Sequence, residues 1–373
     1  MLIARKDYEA GDVILTEEPL IYILELDQQG KRCDSCLKKF DSLKRCLGCK
    51  FVYYCSKGCQ KKDWKAHHKF EECKVFKEIK NEDIEELQLN NVLLCIRTYL
   101  TIRGRPDLRH KRFPLPNGNT KSYNDMVSNV DAVKNHPEDI SVAKPVSKIL
   151  SSLLSDYNED DFFEVIGRVY TNSAHLLEPY FSDDFYLIII ANCIFIQYSH
   201  LNHSCRPNSN GVSKGMKKEL RALTRIKAGE EITVSYIGLC QTRNERREQL
   251  KRGWFFECEC VRCQTNDDYM VCLLNMITAG PSIDDPEDQF VSLNMVCDLK
   301  QLVMGYYCPQ SAYDLIDLYK VACQFMSDQV ELDRIFKRAE NVILVALGHD
   351  YPLYQKLLKI KREHELISMF SRF

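Results

Sequence analysis

The 373-residue sequence predicts an α+β protein in which a small β-rich core is interrupted by a metal-binding segment and followed by an all-helical C-terminal region. Three observations carry this. Seven of the eighteen cysteines fall between Cys33 and Cys73, and three more crowd into Cys258, Cys260 and Cys263. Runs rich in β-branched and aromatic residues span 11–26 and 219–237, as strands do. Beyond about Thr265, Leu315, Ile316, Leu318, Tyr319, Ala322 and Cys323 recur at helical spacing.

Composition narrows the class. Hydrophobic residues at 45% and charged residues at 28% are those of a folded globular chain, and no stretch approaches the ~20 apolar residues of a membrane span. Met1-Leu-Ile-Ala-Arg-Lys lacks the apolar core of a secretory leader, which places the chain inside the cell. There the cysteines stay reduced, so they serve as metal ligands or as small apolar side chains, and clustering selects the first. Residues 31–80 hold fifteen Lys or Arg against six Asp or Glu. Seven thiolates and two zinc ions would trim that excess to roughly +6, which favours an acidic partner or nucleic acid, or leaves a solvated basic surface.

The elements follow in order. Gly11–Leu26 (GDVILTEEPLIYILEL) reads as two short strands broken at Pro19. From Val75 to Leu100, Ile84, Leu87, Val92, Leu93, Cys95, Ile96 and Leu100 mark an amphipathic helix. Residues 101–147, with five prolines, read as loops and short helices. The apolar stretch 161–208 ends in IIIANCIFIQYSHLNHSCRPN, and between 219 and 237 two strand-like runs flank the turn Lys227-Ala-Gly-Glu230.

The first cysteine cluster is C-x2-C at Cys33 and Cys36, C-x2-C at Cys46 and Cys49, then Cys55, Cys59, His67 and Cys73. Eight ligands make two tetrahedral sites, and thiolate with imidazole suits zinc. With FVYYCSKGCQKKDWKAHH around it, this segment resembles a MYND zinc finger. The resemblance implies a cross-brace: Cys33, Cys36, Cys55 and Cys59 on one ion, Cys46, Cys49, His67 and Cys73 on the other. The family leaves three residues between its histidine and last cysteine; here five follow His67, so His68 is an alternative ligand.

The late trio Cys258, Cys260 and Cys263 needs a fourth ligand, and Cys205 is the natural donor. It lies in Asn202-His-Ser-Cys-Arg-Pro-Asn208, which, with GEEITVSY and C-x-C-x2-C downstream, resembles the SET methyltransferase core and its post-SET zinc site. Three zinc ions are thus implied in all. A finger set between N-terminal SET strands and the SET core resembles the SET and MYND lysine methyltransferases. That resemblance implies a SET core interrupted by a MYND finger and a helical insertion, with a post-SET zinc site and a short helical tail. The expected divisions are 1–32 for the first strands, 33–73 for the finger, 74–160 for the insertion, 161–240 for the SET core, 241–265 for post-SET and 266–373 for the tail.

The chemistry the resemblance implies is methyl transfer from S-adenosylmethionine to a lysine nitrogen of a histone or other protein. An in-line displacement asks for alignment rather than a covalent nucleophile. Tyr236, closing the GEEITVSY strand, matches the catalytic tyrosine. Asn202 and His203 match cofactor-binding positions, Phe256 the residue near the adenine, and Asn129, in SNVDAV, a weaker cofactor motif. Three features depart from the family. No Gly-x-Gly turn occurs in the first ten residues, Trp254 stands where a second tyrosine is usual, and Ala174 stands where a channel phenylalanine is usual. The missing Gly-x-Gly and Ala174, with the basic zinc segment, motivate a second reading, a non-catalytic adaptor whose finger grips proline-rich or acidic partners. DNA binding is disfavoured because no recognition helix with base-reading residues is visible. The remaining expectations are a monomer, no membrane, and residence in nucleus and cytoplasm.

Overall fold

The computed structural model describes residues 1–79, 86–181, 185–265, 267–280 and 283–370. The chain is α+β, as its pattern predicts. Strands 13–17 and 21–24 form on either side of Pro19, whose missing N–H cannot serve a ladder. The break sends the two strands to different sheets. Val13–Glu17 pairs antiparallel with Lys217–Ala222, and Ile21–Leu24 pairs antiparallel with Phe185–Ile194.

Three three-stranded sheets make up the β core. One orders 209–214, 217–222 and 13–17; a second orders 21–24, 185–194 and 173–181. In the third, Glu231–Val234 lies between Leu2–Ile3, antiparallel, and Asn202–His203, parallel. The turn between strands 217–222 and 231–234 is made where expected, with Gly229 at φ +92°, a conformation that glycine adopts without steric cost. Ile21, Ile23, Leu2, Ile232 and Leu220 are all inaccessible to solvent. Each such side chain contributes roughly 1.5–3 kcal/mol to holding the sheets together.

The helix expected over 75–100 occurs as Glu72–Ile79 and Glu86–Gly104, and Ile84 lies outside the described residues. Residues 101–147 contain, besides short turns, a long helix at Pro137–Leu153 that runs through Pro145, so that region is more regular than its prolines suggest. The C-terminal region is helical throughout its described length, from Asp268–Thr278 to Pro352–Phe370. Its core buries Leu315, Ile316, Leu318, Tyr319 and Ala322, the residues picked out by periodicity. Arg221 fastens it to the β core: its guanidinium donates to the carbonyls of Leu344 and Val345, at 3.1 Å each, and to Gly11 O at 2.7 Å. A guanidinium at the last turn of helix Gln329–Ala346 satisfies carbonyls that have no partner within the helix.

Candidate functional site

The sulfur clusters come first because they position everything else. Cys33, Cys36, Cys55 and Cys59 converge, as do Cys46, Cys49, His68 and Cys73, and Cys205, Cys258, Cys260 and Cys263, the ligand atoms of each set lying within 4.8 Å of one another. The nearest sulfur pairs stand 3.5 Å (Cys55 to Cys59, Cys205 to Cys263) to 3.9 Å (Cys36 to Cys55, Cys205 to Cys258) apart. Tetrahedral zinc with Zn–S near 2.3 Å requires edges of about 3.8 Å, so all three donor sets fit that ion. Gly48, inside the second knuckle, is required by the crowding: a Cβ there would meet Cys73 Sγ at 2.8 Å.

The histidine of the second cluster is His68, which corrects the expectation of His67. Helix Lys57–Asp63 runs on into a wider, π-type turn at Trp64–His68, and this sets which of the two adjacent rings faces the thiolates. His68 Nε2 stands 3.7 Å from Cys49 Sγ. His67 points away, its Nδ1 3.1 Å from Thr101 Oγ1 and its ring edge-on to Tyr22.

Behind His68 lies a buried ionic chain. Its Nδ1 is 2.7 Å from Glu72 Oε2, and Arg97 grips Glu72 through Nε at 2.6 Å and Nη2 at 3.0 Å. Arg97 Nη1 then donates to Tyr22 O of strand 21–24 at 2.9 Å. Burial raises the Glu72 carboxyl, but the Arg97 guanidinium and the His68 hydrogen bond outweigh it and bring it down to about 2. The carboxylate thereby fixes the His68 tautomer and aims Nε2 at the thiolates. Sequence reading missed this chain. The one signal available was a lone arginine inside the apolar run Val92–Leu100.

The second site is built around Tyr236. Parallel pairing of Asn202–His203 with Thr233–Val234 brings the Asn202 heptapeptide beside the end of the tyrosine strand. Asn208 locks the loop there: its amide Nδ2 donates to Glu231 O at 2.8 Å, and its Oδ1 accepts from Thr233 N at 2.8 Å. His203 Nδ1 accepts from Tyr236 N at 3.0 Å, and burial lowers the imidazole to about 4, so the ring is neutral. Its proton therefore sits on Nε2, which lies 3.2 Å from Cys205 Sγ. One imidazole thus joins the tyrosine backbone to a thiolate of the third cluster. Asn202 Nδ2 donates to Glu231 Oε1 at 2.7 Å, a partner that sequence reading did not single out.

The far side of the site follows helix Arg243–Trp254, which opens with a capping box between Thr242 and Glu245. It ends at Phe255, in the left-handed region at φ +61°, a conformation that costs a non-glycine residue on the order of 1–2 kcal/mol. That turn sets aromatic rings on both sides of the strand end. Trp254 lies 5.4 Å from the Tyr236 ring and Phe256 6.2 Å from the His203 ring. The Tyr236 hydroxyl donates to Leu201 O, and burial, with Glu231 nearby, pushes the phenol up to about 12, so it stays protonated at neutral pH. Asn202, His203, Tyr236 and Phe256 are thus brought together. Asn129 donates Nδ2 to Thr171 Oγ1 at 3.2 Å, and Ala174 packs with the cluster of Tyr22, Leu176, Cys193 and Phe195.

This architecture defines a SET-domain protein: residues 1–237 match the family model described as SET domain. Histone-lysine N-methyltransferase SMYD3 of Mus musculus is 30% identical over 264 residues, covering 69% of this chain and 57% of that protein. N-lysine methyltransferase SMYD2 of Homo sapiens is 25% identical over 371 residues, covering 97% of this chain and 81% of that protein. Histone-lysine N-methyltransferase ASHR1 of Arabidopsis thaliana is 29% identical over 273 residues, covering 70% and 52%. The chain belongs to the SMYD family of SET-domain proteins. It spans 57% of the length of the SMYD3 relatives. No helix among the described residues is long and apolar enough to cross a membrane.

Proposed function

We propose that the protein transfers a methyl group from S-adenosylmethionine to a lysine nitrogen of a protein substrate, histone or not. The observation that carries this reading is the Tyr236 site itself. A neutral phenol, its backbone tied to His203, has ring contacts with His203 and Trp254 and is backed by the Cys205 sulfur cluster. Bound S-adenosylmethionine would supply the methyl on a sulfonium. Asn202 and His203 are the residues to hold it, with Phe256 beside the adenine and Asn129 as a further contact. Leu201 O orients the Tyr236 hydroxyl, leaving the oxygen lone pairs to align the incoming amine, and alignment is the main lever for a displacement of this kind. Cys205, Cys258, Cys260 and Cys263 would hold a zinc ion that pins the chain over the pocket. Cys33, Cys36, Cys55 and Cys59 would hold a second, and Cys46, Cys49, His68 and Cys73 a third, in a finger of MYND type.

The test is transfer from labelled S-adenosylmethionine to histones and cytosolic proteins by the zinc-loaded chain. Tyr236→Phe should lower turnover by about a hundredfold or more while calorimetric cofactor binding persists. Absence of any Tyr236-dependent transfer overturns the proposal. One observation favours a second reading, an adaptor for acidic or proline-rich partners: Leu47 is 90% exposed among the exposed Lys44, Arg45 and Lys50 of the finger. Micromolar cofactor binding would exclude a pure adaptor. We place the protein in both nucleus and cytoplasm, as a monomer.

A further inference from the structure

Outside the zinc-type clusters, two cysteine sulfurs flank one methionine sulfur. Cys240 Sγ lies 3.5 Å from Met304 Sδ, and Cys308 Sγ lies 3.8 Å from the same atom. Both separations fall within those of the cysteine tetrads, 3.5 to 3.9 Å, so each thiol stands at ligand spacing from the one thioether. The three sulfurs arrive from three places: the loop after strand 231–234, the last residue of helix Pro286–Met304, and the turn that follows it. Met304 and Cys308 are buried, whereas Cys240 is half-buried and leaves an approach from solvent.

We propose that Cys240, Met304 and Cys308 form a binding site for a soft monovalent cation, copper(I). Zinc prefers four donors, and calcium or magnesium prefer oxygen. Two thiolates with one neutral thioether suit a cation that accepts few, soft ligands. Binding breaks two S–H bonds, forms two copper–thiolate bonds and one dative thioether bond, and sends two protons to solvent; the copper stays in the +1 state. In the metal-free protein the Cys308 thiol donates to Gln310 Oε1 at 2.8 Å, so ordinary packing also satisfies these residues, and the metal has to displace that bond. Lys300 and Arg262 face Cys240 and offset the single negative charge of the loaded site, against Asp314, which pairs with Lys300 at 2.7 Å. The triad shares one apolar cluster with Cys205, Cys258 and Cys263, against which Tyr236 and Trp254 pack, so a metal here would brace the wall of the Tyr236 pocket. Its existence does not depend on methyl transfer.

The experiment is titration of the zinc-loaded chain with copper(I) bicinchoninate under reducing conditions, following colour loss together with zinc release. The wild-type chain should take up about one equivalent before any zinc is released, because filling an empty site costs no bound metal. Cys240→Ser/Cys308→Ser should bind that first equivalent at least about a hundredfold more weakly, and Met304→Leu about tenfold, given that even outer partners of a metal are worth about 10–100-fold. In the double variant zinc release should begin with the first addition. Cys272→Ser, at an exposed cysteine in helix Asp268–Thr278, should titrate like wild type. If the buried serine at 308 prevents folding, Cys240→Ser alone and Met304→Leu carry the comparison. Zinc release from the first addition to wild type overturns the proposal, as does unchanged uptake by Cys240→Ser.

Discussion

The second cluster of the finger and the Cys205 cluster hold similar donors but are embedded differently. Around His68 the outer partners form one buried line, Glu72 then Arg97, that ends on the backbone of strand 21–24. Around Cys205 the outer partners are cations close to the sulfurs. Arg262 donates to Cys205 O at 3.2 Å and to Asp267 at 2.5 Å, and the buried Arg246 lies 3.4 Å from the same carboxylate. A four-thiolate zinc site carries two negative charges, and a site with three thiolates and a neutral imidazole carries one. Arg97 is shared between Glu72 and, at 3.8 Å, the buried Asp63, whereas Arg246 and Arg262 share the single carboxylate of Asp267. The first arrangement docks one part of the chain on another; the second sets positive charge beside the Tyr236 site.

That contrast can be broken experimentally. The largest effect is expected from Cys205→Ser. It should release one zinc of three, leave the finger loaded, and abolish cofactor binding by calorimetry, since the loss of a structural zinc site costs several kcal/mol locally. Next, Arg97→Gln should destabilise the chain by about 3–5 kcal/mol in denaturant unfolding, because it leaves Glu72 buried without its cation. It should also weaken zinc at the His68 site by about 10–100-fold in chelator competition while sparing the Cys205 site. If all three zincs weaken equally, the effect is general unfolding and the docking role is wrong. The finest distinction separates neighbours. His68→Asn should lose the finger's second zinc, whereas His67→Asn should keep it and cost about 1 kcal/mol, the worth of its bond to Thr101.

The difference between His67 and His68 also shows where sequence reading reaches its limit. The grouping of the cysteines was legible because C-x2-C spacing is a local property of one tight turn. Cys205 was legible because the late trio lacked a fourth donor. The choice of histidine was not, since adjacent ring directions depend on how one turn of helix is wound. Strands 13–17 and 21–24 were visible around Pro19, but their dispersal to separate sheets depends on partners nearly two hundred residues away. The Tyr236, Asn202, His203 and Phe256 grouping was legible only through resemblance. The Glu231 contact and the Arg97 chain join residues whose separation leaves no periodic trace.

Strand 231–234 sits between residues 2–3 on one edge and 202–203 on the other. The strand that leads to Tyr236 therefore completes its sheet only when residues 2–3 meet a segment some 230 positions downstream. Closing so long a loop is entropically slow, while the cysteine knuckles close locally and early. On a ribosome the finger would be finished while the first strand still waits, unpaired, for its neighbour to be synthesised. The opening residues are thus the last stitch of the β core, and a chaperone that shields them would affect yield more than one that attends to the finger.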